Sequence, residues 1–141
     1  RALPRLDQLG AEVVETCQHL RSGDDGTRVL THRDLHDKQL LWDGSTLGVL
    51  DVDTAARGEV ALDLGNLLAH ADLRLTQNIF TPSTSDTIAG HVNTVAAALN
   101  VNPARLETYR RAALLRLACV YAFRPTSKDW LSGWVDTCVT L

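Results

Sequence analysis

The chain has 141 residues, 45% hydrophobic and 22% charged, with 9 Gly, 4 Pro and 3 Cys. That composition suits one folded core, because a chain of this size buries roughly 68% of its unfolded surface without disulfide or metal staples. With 14 Lys and Arg against 17 Asp and Glu, the net charge of −3 lacks the basic excess of a nucleic-acid binder.

No apolar run reaches the roughly 18–20 residues of a bilayer span, and Arg1-Ala2-Leu3-Pro4-Arg5 lacks the layout of a signal peptide. The expectation is one cytoplasmic domain over residues 1–141, with neither nucleic acid nor a membrane as partner. Cys17, Cys119 and Cys138 are odd in number and far apart, which excludes a redox pair or zinc cluster and predicts reduced, mostly buried thiols. A chain that begins at Arg1 and contains no Met is expected to be a fragment or processed product of something longer.

From Pro4 to Arg21, Leu6, Leu9, Val13, Val14, Cys17 and Leu20 recur at helical intervals. Ser22-Gly23-Asp24-Asp25-Gly26 ends that helix, and Arg28 to Thr31 reads as a short strand. The apolar runs at Gln39–Trp42 and Leu47–Asp51 flank Asp43-Gly44-Ser45-Thr46, a hairpin signal that explains Asp43 as a turn residue.

After Gly58 the pattern is helical. Leu64, Leu67, Leu68 and Ala71 share one face, and Ile88, Val92, Val95, Ala96 and Leu99 share another beyond a predicted loop at Thr81 to Ser85. Asn102 and Pro103 begin the next helix as cap and first residue. Its stretch from Ala112 to Phe123 is apolar on most faces and reads as central core, ended by Arg124-Pro125. A last amphipathic segment carries Trp130, Leu131, Trp134, Val135 and Cys138, with both tryptophans expected in the core.

Polar chemistry concentrates between His32 and Asp63. The run Thr31-His32-Arg33-Asp34-Leu35-His36-Asp37-Lys38-Gln39, the hairpin, and Leu50-Asp51-Val52-Asp53 place an Asp, an amide and a second Asp at one edge of a small sheet. Oxygen donors of that kind suit Mg²⁺, with Gln39 and Asp51 holding the ion while Asp34 faces an incoming hydroxyl.

These residues resemble the kinase-like phosphotransferases of the aminoglycoside phosphotransferase and choline kinase group. That group's loop reads roughly H-x-D-x-x-x-x-N, and here His32-Arg33-Asp34 is followed by Gln39 in the Asn position. Its metal motif is matched by Leu50-Asp51-Val52-Asp53 and then Gly58-Glu59-Val60-Ala61-Leu62-Asp63-Leu64-Gly65. Val60 for Pro and Gly65 for Ala are packing differences.

The resemblance implies a mostly helical α+β fold, the C-terminal lobe of a protein-kinase-like fold whose small hairpin block carries the catalytic loop. It implies transfer of the γ-phosphate of ATP, or alternatively GTP, to a hydroxyl of a small molecule. Asp34 would be the base and His32 the loop brace; Gln39 and Asp51, with Asp53, would serve the metal; Asp63 and Arg33 would support the loop. The nucleotide lobe of such kinases has no counterpart upstream of His32, so the chain alone is expected to be a poor catalyst.

Two other readings stand beside this one. A kinase-like lobe with Gln39 for Asn could be a non-catalytic binding module. His32, His36 and Asp37 form H-x-x-x-H-D, which would suit an HD-type metal-dependent phosphohydrolase using His36 and Asp37 if the segment were helical.

Overall fold

A computed structural model of the chain describes residues 5–22 and 28–140. Helix α1 (Leu6–Ser22) leads to strand β1 (Arg28–Thr31), and the loop after it passes through a 3-10 turn (Asp37–Gln39) into β2 (Leu40–Trp42) and β3 (Leu47–Val49). A second 3-10 turn (Val52–Thr54) precedes β4 (Ala56–Glu59). Four helices follow: α2 (Val60–Thr76), α3 (Pro82–Ala98), α4 (Pro103–Ala122) and α5 (Leu131–Thr140). The fold is mostly helical α+β. The Gly23–Gly26 part of the expected break lies outside the described residues.

The strands form two separate antiparallel pairs rather than one small sheet. β2 pairs with β3, Leu40 opposite Val49, and β1 pairs with β4, Arg28 opposite Glu59 and Thr31 opposite Ala56. The hairpin turns as its sequence dictates. Gly44 adopts φ of 100°, and one Asp43 carboxylate oxygen accepts the N–H groups of Ser45 and Thr46.

Helix α2 is the axis of the core. Its Ala69 and Leu73 pack into a cluster with Leu114, Leu117, Trp134 and Val135, while Val60, Leu64 and Leu68 pack with Val92, Ala96 and Leu106. It meets α4 so closely at Gly65 that an added Cβ would lie 2.6 Å from the backbone N of Arg110. Gly65 is therefore a requirement of this packing.

Buried polar ties join the helices. Arg105 on α4 donates two bonds to Glu59, at 2.8 and 2.7 Å, while the Tyr109 hydroxyl donates to the same carboxylate. The guanidinium also caps α1 by donating to the carbonyls of His19 and Leu20.

Several expectations change. Thr81 to Ser85 is not a loop: Thr81 caps α3, accepting the Thr84 N–H, and Pro82 is its first residue. Asn102 caps α4 as its sequence predicts. The end of α4 leaves the core, with Phe123 89% exposed. Cys17 and Cys119 are exposed, and only Cys138 is buried. Trp134 is buried and Trp130 packs against the core edge.

Candidate functional site

The segment after β1 is held against α2 by side chains spaced 3, 4 and 4 residues apart along that helix. Asp63, in its first turn, accepts the backbone N–H of His32 at 2.7 Å and of Arg33 at 2.8 Å, one on each carboxylate oxygen. Asn66 donates its amide to the Leu35 carbonyl at 2.9 Å. His70 stacks on His36, ring centroids 4.3 Å apart and planes within 9°. Arg74 forks Asp37 through Nε and Nη2 at 2.9 and 3.0 Å. Asn66, His70 and Arg74 are all buried, so α2 presents a polar stripe to the loop on an otherwise apolar helix.

The loop is fixed from other sides as well. The His32 ring, itself buried, donates from Nε2 to the Leu50 carbonyl at 2.6 Å, which leaves Nδ1 to accept the Asp34 N–H. The Thr54 hydroxyl donates to the His32 carbonyl, and Thr31, fully buried, donates to Ala56. Arg33 is held at φ of 74°, the left-handed region that costs an L-residue roughly 1–2 kcal/mol.

Asp34 projects from this frame with its carboxylate partly exposed. Arg116 donates to Oδ1 at 3.1 Å and also to Asn66, while His36 Nε2 lies 3.8 Å from Oδ2. Gln39 and Asp51 come together separately, the Gln39 amide donating to Asp51 Oδ2 at 3.1 Å. Asp51 is exposed and left-handed at φ of 58°. His32 ties the two parts, being two residues from Asp34 and bonded to the carbonyl just before Asp51. No hydrogen bond among the described residues joins Asp34 to Gln39 or Asp51. Asp53, on the Val52–Thr54 turn, is exposed, and among the described residues no hydrogen bond or ion pair joins it to the pair; Arg33 lines a cleft of about 370 Å³ with Arg57 and Glu59.

Electrostatics follow burial. Burial alone would raise the Asp37 carboxyl, but the Arg74 fork outweighs it and holds the pKa below the ordinary range. Burial lowers the pKa of His36 against the pull of Asp34 and Asp37. Burial, together with His36, Arg116 and Arg74, pushes His70 down to about 3, so its ring is neutral at pH 7.

One comparison with known proteins identifies the family. The model of the phosphotransferase enzyme family matches residues 1–114. The chain belongs to that family. No curated protein and no solved structure gives a significant match. Family membership carries phosphotransferase activity, with nucleotide and metal use, in general terms. The matched region contains the whole loop, the Gln39–Asp51 pair and the stripe on α2, and it ends on α4 just before Arg116.

The phosphohydrolase alternative loses its premise. Residues 31–41 run as strand end, loop, 3-10 turn and strand, so His32 and His36 do not share a helical face, and Asp37 is committed to Arg74. Sequence reading passed over Asn66, His70, Arg74 and Arg116. The signal for the first three was present as polar residues at four-residue spacing inside an apolar helix; Arg116 comes from a distant helix and gave none. Among the described residues no helix is long and apolar enough to cross a membrane.

Proposed function

We propose that this chain is the catalytic-loop lobe of a small-molecule kinase, moving the γ-phosphate of ATP or GTP to an acceptor hydroxyl. Asp34 is the base that orients the hydroxyl and receives its proton, as positioning and charge stabilisation dominate phosphoryl transfer. The observation that supports this reading is the seating of the loop on α2 and on Leu50, which holds Asp34 partly exposed and, through the His32 bond to the Leu50 carbonyl, ties its loop to the residue just before Asp51, itself paired with Gln39.

The pair fits Mg²⁺ by its chemistry. Turning the Gln39 amide over would set two oxygens 3.1 Å apart, close to the edge of an Mg²⁺ octahedron with bonds of about 2.1 Å. Gln39 and Asp51 would hold the ion, which would neutralise charge on the nucleotide phosphates; Asp53, two residues after Asp51, is the further carboxylate proposed to serve it. The acceptor is a small molecule, and neither nucleic acid nor a membrane is a partner in this reading.

The test measures Mg²⁺-dependent nucleotide consumption against a panel of hydroxylated small molecules, with Asp34→Asn and Asp51→Asn beside the parent protein. Acceptor-dependent turnover that falls at least about 100-fold in Asp34→Asn is expected. Unchanged turnover in that variant removes Asp34 as the base. Failure of every acceptor would favour a non-catalytic module.

A further inference from the structure

His70 is 6% exposed, sits midway along α2, and neither of its ring nitrogens has a hydrogen-bond partner. Native proteins rarely leave a buried imidazole in that state, and each such group needs a reason. The His70 ring faces Asp34 and His36, and one donor atom from each of the three residues lies within 4.8 Å of the others.

We propose that Asp34, His36 and His70 form a site for a divalent transition-metal cation of the zinc type, distinct from the oxygen pair Gln39–Asp51. Two imidazole nitrogens and one carboxylate oxygen are a donor set for Zn²⁺ or Co²⁺, whereas Mg²⁺ takes oxygen ligands. Three protein ligands leave a fourth position for water.

The surroundings support the donors. Arg116 occupies Asp34 Oδ1, which leaves Oδ2 for the ion. Binding through His36 Nε2 places the ring proton on Nδ1, 3.7 Å from Asp37 Oδ1, and Arg74 fixes that carboxylate. Closing that 3.7 Å gap to hydrogen-bond distance would give the carboxylate–histidine–metal arrangement that orients a ligand ring. The exchange gives up one bond of 3.2 Å from the exposed Lys38 N–H. The two rings are parallel within 9°, so one must tip to bring both lone pairs onto one ion; His36 does so on giving up the Lys38 bond and part of its stack on His70.

Metal binding here does not depend on the kinase reading. If Asp34 is the base, an ion on its carboxylate inhibits phosphoryl transfer. The experiment is therefore a titration of the protein with Co²⁺, followed by its visible d–d absorption and without any turnover assay. One Co²⁺ per chain is expected, displaced by Zn²⁺ and not by excess Mg²⁺. His36→Ala and His70→Gln should each weaken binding at least about 100-fold, while Asp51→Asn leaves it intact. His36→Ala keeps the test decisive where His70→Gln fails to fold. Absent bands at millimolar Co²⁺, or equal binding in His36→Ala, would overturn the site. Loss in Asp51→Asn with retention in His36→Ala would assign the ion to the oxygen pair and overturn it equally.

Discussion

Replacing Asp63 separates two roles that its place in the first turn of α2 allows. A carboxylate acting only on the positive end of the helix contributes about 0.3–1 kcal/mol, and Asp63→Glu would keep nearly all of that. A carboxylate that exists to receive the His32 and Arg33 amides, at 2.7 and 2.8 Å, cannot tolerate the added methylene. Hydrogen bonds to a charged acceptor contribute about 1.5–3 kcal/mol each, with the exposed Arg33 amide at the low end. The expectation is a loss of about 3 kcal/mol for Asp63→Ala and about 2 kcal/mol for Asp63→Asn, which turns one acceptor into a donor facing an N–H. Asp63→Glu should also lose about 2 kcal/mol.

Urea unfolding followed by tryptophan fluorescence measures these costs. Native-state amide exchange of His32 and Arg33 locates them, because both amides should lose protection first. Turnover should fall with stability, since a displacement of about 1 Å at Asp34 costs on the order of 100-fold. An Asp63→Glu variant within about 0.5 kcal/mol of the parent, with both amides still protected, would refute the reasoning and leave Asp63 as a helix-end charge.

Glu59 offers a pH test. The Arg105 fork holds its carboxyl below the ordinary 4.5 despite burial, so the stability it contributes is complete above that value and is lost as pH falls through the lower folded value. Glu59→Gln should cost about 3 kcal/mol at pH 7 and flatten the acid limb of a plot of urea midpoints against pH. Gly65→Ala should cost about 2 kcal/mol, because its Cβ meets the backbone of Tyr109 and Arg110 at 2.8 and 2.6 Å. Gly90→Ala, exposed on α3 with nothing within 4 Å, should gain about 0.5–1 kcal/mol; the opposite signs are read from paired thermal melts. Asn102→Ala removes the cap on the Ala104 and Arg105 N–H groups and should cost about 1 kcal/mol in the same melts.

Local rules made some of this fold legible and hid the rest. Asn102-Pro103 and Asp43-Gly44 act through their own backbone, so their cap and turn could be read directly. Thr81-Pro82 uses the same cap chemistry as Asn102-Pro103, but the Ser and Thr that follow are weak helix formers and suggested a loop. β4 was invisible because Ala56 to Glu59 exists as a strand only through pairing with β1, far back in the chain. Cys17 and Cys119 followed apolar periodicity yet fall at the margins of the core. At the site, motif spacing picked out His32, Asp34, Gln39, Asp51 and Asp63. It could not show that Asp34 turns to Arg116 and His36 while Gln39 turns to Asp51.

The stripe on α2 explains why the loop is not helical. From Asp63 to Arg74 the helix advances eleven residues, about 16 Å at roughly 1.5 Å each. From His32 to Asp37 the loop has five steps, and an extended chain reaches at most about 16–18 Å over five residues. The loop covers that length while bending at Arg33 and Asp34, with Arg33 left-handed at φ 74°, and running extended at His36, φ −155° and ψ 175°. A helix over the same five steps would advance about 7.5 Å and reach barely half of the stripe. Four side-chain contacts therefore select one loop conformation, and that conformation decides the chemistry. It splits His32 from His36, sending the first ring to Leu50 and the second to His70, and it leaves Asp34 between them as the carboxylate that no residue of α2 claims.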